Sequence, residues 1–195
     1  MSRRSDDFGY TGLHAFVFID QVDPGTNIRD VIDALRNLGA PPDGPVMFAS
    51  EMVGTSLGFA HIRVEDGDLA GLQDLIAGQL WEQGAHCQHC LEVDYAKDGP
   101  RVKAVKRATP EVIAIVRARV ANGHLSQVLA DLIDEEGPVA STFKGASVVT
   151  GEADILIQLG ADDYQTVADA VYGPLQTVAG ITHTDSLFTD ARRYE

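Results

Sequence analysis

The segment from His86 to Cys90 reads H-C-Q-H-C and concentrates metal-binding and redox-active side chains. A C-x-x-C pair beside histidines is typical of zinc sites and of redox pairs. The neighbouring residues, however, predict a β-strand from about His86 to Val93, and residues three apart on a strand point to opposite faces. Their Cα atoms would lie about 10 Å apart, beyond disulfide reach. A metal site would need further ligands from His14 or His61, so the sequence predicts neither a metal site nor a redox pair.

Other catalytic patterns are missing from the sequence. Ser56, Ser141 and Ser147 lie in no nucleophile-elbow sequence, and no Cys-His-Asp order stands out. The glycines are scattered singly, without the spacing of a phosphate-binding loop. We therefore predict no catalytic residue from motifs alone.

The charge balance limits the range of partners. The formal net charge is −14, from 15 lysines and arginines against 29 aspartates and glutamates, and such a field repels a polyanion. A single basic stretch contains Lys97, Arg101, Lys103, Lys106 and Arg107. We interpret this stretch as a solvated linker and predict no direct binding of nucleic acid.

The cysteine count and the hydropathy pattern indicate a reducing compartment. Only two cysteines are present, too few for a disulfide framework. No apolar run approaches the roughly 20 residues needed to cross a bilayer. The basic start of the chain lacks the apolar segment of a secretory leader. These features predict a cytoplasmic protein without membrane contact.

Hydrophobic periodicity predicts the element order β-α-β-β-α-β in each half of the chain. In the first half the predicted elements are a strand at 15–19, a helix at 28–38, strands at 46–53 and 57–64, a helix at 69–80 and a strand at 86–93. In the second half they are a strand at 112–116, a helix at 125–133, strands at 139–149 and 155–159, a helix at 163–175 and a strand at 181–188. The two halves superpose at a period of roughly 95 residues.

This order predicts an α+β fold of two tandem ferredoxin-like βαββαβ repeats, packed as a pseudo-dimer of the dimeric α/β-barrel type. Each sheet would have one apolar face without helices, and such a face needs a partner. The predicted domains are a disordered tail at 1–12, a first repeat at 13–96, the basic linker at 97–109 and a second repeat at 110–195.

The second half resembles the effector-binding (RAM) domain of the Lrp/AsnC family of transcriptional regulators. The residues that carry the resemblance are V-T-G-E-A-D-I-L-I at 149–157 and G-I-T-H-T at 180–184, with V-D-P-G at 22–25 in the first half. Three features depart from the family pattern. There is no room for a helix-turn-helix before the first strand, Ala153 replaces the usual aromatic residue, and the first-half hairpin lacks an acid.

The resemblance implies a ligand site at the hairpin of the second half. Gly151 would let backbone N–H groups approach a carboxylate, Glu152 or Asp154 would accept an ammonium group, and Thr182 and Thr184 would offer hydroxyls. The alternative is that Gly151 and Glu152 only turn the chain and that Asp154 caps the turn.

We therefore expect a stand-alone regulatory protein that binds a small-molecule effector, an amino acid, needs no cofactor, is not an enzyme and self-associates through sheet faces. One alternative is a small dimeric α/β-barrel enzyme, either a cofactor-independent or a haem-type oxygenase. That alternative would use an inward-facing histidine as base or ligand, with His14, His61, His89 and His183 as candidates. Another alternative is an assembly partner of a DNA-binding relative.

Overall fold

The computed structural model describes residues 13–40, 43–64, 68–95 and 112–190, and the chain divides into two compact units. Unit 1 comprises residues 1–51 and 56–91, and unit 2 comprises residues 52–55 and 92–195. The predicted tail at 1–12 and the predicted basic linker at 97–109 lie outside the described residues.

The helices and strands follow the predicted order, with one two-residue strand added in the first half. The first half contains β1 (Leu13–Val22), α1 (Ile28–Asn37), β2 (Val46–Glu51), β3 (Val53–Gly54), β4 (Gly58–Val64), α2 (Leu69–Gln79) and β5 (Ala85–Tyr95). The second half contains β6 (Val112–Val120), α3 (Leu125–Ile133), β7 (Phe143–Thr150), β8 (Ile155–Ala161), α4 (Tyr164–Tyr172) and β9 (Ile181–Asp190). Among the described residues, every helix is too short or too polar to cross a lipid bilayer.

The strands of unit 1 form an antiparallel arrangement in the order β2-β4-β1-β5. Alternate residues of β1, namely Ala15, Val17 and Ile19, pack in one cluster with apolar residues of both helices. The helix residues in that cluster include Val31, Ile32, Leu35, Leu72 and Ile76. Since successive strand residues point to opposite faces, both helices cover a single face of these strands.

Unit 2 also has antiparallel strands with two helices on one face, and its strand order is β7-β8-β6-β9-β3. Its core joins alternate residues of β6 to α3 and α4. The short strand β3 pairs with β9, and Gly54 there has a φ of +145°. An added Cβ at Gly54 would lie 2.2 Å from the Ser186 carbonyl oxygen, so this pairing requires glycine.

The start of α4 is fixed by Asp163. Its carboxylate accepts hydrogen bonds from the Thr166 backbone N–H at 2.8 Å and from the Thr166 hydroxyl at 2.7 Å. These bonds favour the charged form and lower the pKa of Asp163. An N-terminal cap of this kind explains why the helix begins at Tyr164.

The predicted α+β class is confirmed, but two predicted strands have wrong bounds. The strand predicted at 46–53 ends at Glu51, and Val53 lies in β3, which pairs with β9. Residues 139–142, predicted as the beginning of a strand, form turns before β7. The Val139 carbonyl oxygen accepts hydrogen bonds from the N–H groups of Thr142 and Phe143. These local bonds replace the ladder bonds that a strand would need, so the apolar residues of this stretch do not mark a strand.

Replacing Ile157 by alanine tests the core of unit 2. Ile157 lies on β8 and is fully buried, so the Ile157→Ala variant should lose about 2–5 kcal/mol of unfolding free energy. Val53 is 74% exposed, and Val53→Ala should change the unfolding free energy by about 0.5 kcal/mol or less. Urea unfolding followed by circular dichroism measures both values. Equal losses in the two variants would contradict the assigned core.

Candidate functional site

One face of the unit 1 strands carries no helix, and it collects histidine, phenylalanine and arginine side chains. The helix-facing residues of β4 include Ala60 and Ile62, so Phe59, His61 and Arg63 occupy the opposite face. The register across β1 and β4 pairs Phe18 with Phe59, Phe16 with His61 and His14 with Arg63. Directly opposed residues of antiparallel strands share a face, and these six residues therefore form one surface.

The two histidines of this surface are in direct contact. The Nδ1 atom of His14 lies 2.8 Å from the Nε2 atom of His61, and the ring centroids are 5.0 Å apart. If two imidazole nitrogens point straight at each other at hydrogen-bond distance, the centroids of their rings are about 5 Å apart. The observed separation therefore indicates a nearly straight N–H···N hydrogen bond, in which one histidine donates and the other accepts.

Aromatic rings surround the histidine pair. The His61 ring centroid lies 4.6 Å from that of Phe16. Phe59 continues the aromatic surface, with ring centroids 6.2 Å from Phe16, 5.3 Å from Phe18 and 6.1 Å from Phe48. The result is an aromatic wall, made of Phe16, Phe18, Phe48 and Phe59, beside a hydrogen-bonded pair of imidazoles.

Burial distinguishes the two histidines. His14 is only 7% exposed, whereas His61 is half-buried, as is Phe48, its register partner on β2. Phe16, Phe18 and Phe59 are also buried, so of the histidine pair and the aromatic wall only His61 and Phe48 are half-buried. His14 is the buried hydrogen-bond partner of His61.

The segment from His86 to Cys90 is part of β5, which confirms the predicted strand. Cys87 pairs with Ile19 on the helix-bearing face, and Cys90 pairs with Phe16 on the other face. Neither cysteine forms a disulfide. In the described ranges no group of three or more His, Cys, Asp or Glu side chains is placed to hold a metal ion.

The predicted ligand residues at the hairpin of unit 2 gather around an arginine that the sequence analysis did not consider. Arg119 guanidinium nitrogens lie 3.6 Å from Glu152 Oε2 and 3.8 Å from Asp154 Oδ1. Asp154 also accepts a hydrogen bond from the Val120 backbone N–H at 2.8 Å. Gly151 is exposed with a φ of +113°, so the hairpin turn itself requires glycine.

The two predicted threonines lie at different places. The Thr182 hydroxyl donates to the Arg119 carbonyl oxygen at 3.2 Å, close to the hairpin. Thr184 pairs with Ala118 on the helix-bearing face and accepts a hydrogen bond from the Gln176 amide at 3.0 Å. The structure therefore brings Glu152, Asp154 and Thr182 together at Arg119 and places Thr184 elsewhere. Ligand binding by these residues stays a prediction.

A sequence feature could have revealed Arg119. Arg117 and Arg119 occupy alternate positions at the end of the apolar strand β6, on the face without helices. Two cations at alternate positions of a buried strand require acidic partners nearby. In the structure these partners are Glu152 and Asp154 for Arg119, and Asp185 for Arg117.

Haem was raised by one alternative, and four of the six histidines lie in surroundings that do not suit it. An axial histidine must aim one nitrogen at the iron from an apolar crevice. In the His14–His61 pair one nitrogen of each ring is used in their mutual hydrogen bond, and His14 is only 7% exposed. His183 is exposed, its Nε2 atom lies 3.5 Å from Asp185 Oδ1, and it pairs in register with Arg119. These polar surroundings do not form a haem crevice.

The remaining histidines also lack such a crevice. His86 is exposed and lies 2.9 Å from an Asp23 carboxylate oxygen. His89 pairs with Val17 on β1 and is exposed, and His124 is exposed before α3. All six histidines of the chain are within the described residues, and we derive no step through haem.

The fold is similar to that of solved enzymes. A chlorite dismutase variant from Candidatus Nitrospira defluvii in complex with cyanide has a TM-score of 0.55 and 10% identity, over 96% of this chain and 95% of that chain. An anthrone oxidase-like protein has a TM-score of 0.53 and 13% identity, over 94% of each chain. No protein-family model and no curated protein sequence matches the chain. At these identities the similarity shows the fold.

These neighbours correct two predictions. The assignment to the Lrp/AsnC effector-binding domains is wrong, because the similar structures are of the chlorite dismutase type. The prediction of a regulatory protein that is not an enzyme is wrong for the same reason. Among the residues that suggested the regulator family, Gly151 has the positive φ that the turn requires, and Asp154 accepts a hydrogen bond from Val120 on β6. Any βαββαβ fold with a tight hairpin can contain that pattern.

Cysteine reactivity tests the strand geometry of β5. Burial raises the pKa of the Cys87 thiol, a hydrogen bond with Trp81 partly opposes the rise, and the Asp20 charge adds to it. Because the thiolate is the nucleophile, iodoacetamide should modify native Cys87 slowly at pH 7.5 and faster above pH 9. The buried Cys90 should react only after unfolding. Mass spectrometry measures both rates, with Cys87→Ser as the control. Fast modification at pH 7.5, or a Cys87–Cys90 disulfide, would contradict this geometry.

Proposed function

We propose that this protein is a small oxidase that works without a cofactor on aromatic substrates carrying a weakly acidic hydrogen. The observation that supports the proposal is the nearly straight hydrogen bond between His14 and His61 beside the aromatic wall. The pair is a candidate base. Phe48, the half-buried ring of the wall, is a candidate contact for a flat substrate, whereas Phe16, Phe18 and Phe59 are buried. Both features lie on one face of unit 1.

The geometry favours His61 as the proton acceptor. We assign the hydrogen of the N–H···N bond to His61 Nε2 and the accepting lone pair to His14 Nδ1. In that tautomer His61 Nδ1 carries a lone pair and can take a proton from a substrate. Protonated His61 then donates a stronger, charge-assisted hydrogen bond from Nε2 to His14. His14 acts as a positioning residue that fixes the tautomer and stabilises the imidazolium.

The aromatic wall favours a flat aromatic substrate, because offset or tilted ring contacts add attraction to the burial of apolar area. One structural neighbour is described as anthrone oxidase-like, and an anthrone fits this chemistry. Loss of one proton from its ring methylene to His61 leaves an anion that can give electrons to O2. Overall the methylene becomes a carbonyl, one O2 is consumed and one water is formed.

We further infer that the two βαββαβ halves arose by duplication, with repeats at 13–96 and 110–195, and that they form the pseudo-dimer of a dimeric α/β barrel. The recurrence of the same element order, apart from the short strand β3, supports this, as does the match of nearly the whole chain to single chains of the neighbours. Self-association through sheet faces stays a prediction. Nothing in the neighbours supports an amino-acid effector.

Replacement of His61 by glutamine tests the proposed base. Glutamine keeps an amide near the place of Nε2 but cannot accept a proton at neutral pH. We expect His61→Gln to lower kcat for anthrone oxidation by about 100-fold or more, measured as O2 uptake and as carbonyl product. His89 is exposed on the other face, so the control variant His89→Gln should keep the wild-type rate.

Two results would contradict the proposal. One is an unchanged rate in His61→Gln. The other is a wild-type protein that oxidises anthrones only after haem is added, detected by its absorption spectrum.

A further inference from the structure

Four side chains of unit 2 form a surface where β3 pairs with β9. Val53 on β3 is the register partner of Phe188 on β9, so both side chains share the helix-bearing face. Phe188 is buried and belongs to the core of unit 2. The rings of Tyr164 and Tyr172 on α4 lie against it, with centroids 5.1 and 6.2 Å from the Phe188 centroid. We name these four residues the tyrosine surface.

Most of the tyrosine surface is exposed, although Phe188 beneath it is buried. Val53 is 74% exposed, Tyr164 is 53% exposed and Tyr172 is 67% exposed. Together they present more apolar area than a single exposed residue does. Contact with Phe188 holds both tyrosine rings, because aromatic pairs attract at centroid distances of about 4.5–7 Å. Rings that are already held lose less entropy on binding a partner than freely rotating side chains do.

The helix α4 spaces the two tyrosines. Tyr164, Ala168 and Tyr172 are four residues apart and therefore lie on one side of the helix. Ala168 is small and only 7% exposed, so a shallow gap separates the two larger rings. The eight positions from Tyr164 to Tyr172 correspond to about 12 Å along the helix axis. A ligand that contacts both rings must span that distance.

Acidic residues lie close to both tyrosines. Asp163 directly precedes Tyr164, and Asp169 precedes Tyr172 by three positions, which makes the latter two neighbours on the helix surface. Both aspartates are exposed. Between positions 145 and 190 the sequence contains seven acidic residues and no lysine or arginine. Each tyrosine of the surface therefore has an exposed carboxylate within one helical turn.

This charge determines which kind of partner the surface fits. A second copy of the chain would bring the same acidic residues to the interface, and the net charge of −14 adds repulsion between copies. A cationic partner is attracted instead. Guanidinium groups stack on aromatic faces and also bond carboxylates through a planar fork of N–H donors. A tyrosine with a nearby carboxylate therefore suits an arginine side chain.

We propose that the tyrosine surface binds an extended, arginine-containing segment of a partner protein. In an extended chain alternate residues point the same way, and residues four apart span about 13 Å. That length matches the spacing of Tyr164 and Tyr172. The segment therefore has the pattern arginine-x-apolar-x-arginine, in which each arginine stacks on one tyrosine and the apolar residue packs over Ala168. This site lies on unit 2 and is independent of the proposed oxidase function.

Two peptides of identical composition test this geometry. The peptide G-R-S-L-S-R-G has the proposed spacing, whereas G-R-R-S-L-S-G carries the same charge on adjacent arginines. Each peptide is labelled with fluorescein and titrated with the full chain in about 50 mM NaCl, where exposed charges are weakly screened. Fluorescence anisotropy should give a Kd about 5-fold lower for the first peptide, the value of one cation–π contact. Equal Kd values, or no binding of the first peptide, would overturn the proposal.

Variants of unit 2 locate the contact. Tyr172→Ala should raise the Kd for G-R-S-L-S-R-G about 5-fold, whereas Tyr172→Phe keeps an aromatic face and should change it less than about 2-fold. Asp169→Asn should raise it about 3-fold. Asp131 on α3 is the matched control, because it accepts a hydrogen bond from the Gln127 amide at 2.7 Å, as Asp169 does from Gln165 at 2.6 Å. Asp131→Asn should leave the Kd unchanged, and equal effects in the two asparagine variants would contradict the assigned surface.

Sedimentation equilibrium tests the other occupant, a second copy of the chain. The proposal predicts that Tyr172→Ala leaves the mass of the sedimenting species unchanged. A wild-type dimer that dissociates in Tyr172→Ala would assign the tyrosine surface to self-association and overturn the proposal. Circular dichroism shows whether each variant is folded, and the peptide pair tests the wild-type chain whatever the variants do.

Discussion

The antiparallel register between β1 and β4 determines which side chains of unit 1 meet. It places Phe16 opposite His61 and His14 opposite Arg63. Because side chains alternate between faces, a slip of one residue would turn His14 toward the helices and Ala15 toward the aromatic wall. The burial of Ala15, Val17 and Ile19 against α1 and α2 prevents such a slip. The hydrophobic core of unit 1 therefore also sets the geometry of the candidate site.

Burial of two imidazoles has a cost that their mutual hydrogen bond offsets. An unpaired buried polar group costs about 1–3 kcal/mol, and the N–H···N bond between His14 and His61 gives each facing nitrogen a partner. The bond also fixes the direction of each ring. A base held in one orientation beside an aromatic surface needs little reorganisation when it takes a proton, which is the usual benefit of a preorganised site.

The sequence predicted the elements well but not the site. Apolar stripes such as Val31, Ile32 and Leu35 correctly located α1, because helix and strand periods are local properties. His14 and His61 are 47 positions apart in the sequence. Their contact depends on the register between β1 and β4, and no local sequence pattern specifies that register. The histidines were therefore recognised only as separate candidates. The hairpin at Gly151 misled the family assignment, since its residues satisfy turn geometry that unrelated proteins share.

Nitrogen NMR of the histidine side chains tests the central claim, that His61 and His14 share one hydrogen bond with a fixed tautomer. In the uniformly ¹⁵N-labelled full chain we predict that His61 Nε2 is protonated and His14 Nδ1 is not. We also predict a scalar coupling across the hydrogen bond between these two nitrogens, which disappears in His61→Gln. Two rings that exchange tautomers independently, with no coupling between them, would contradict the account.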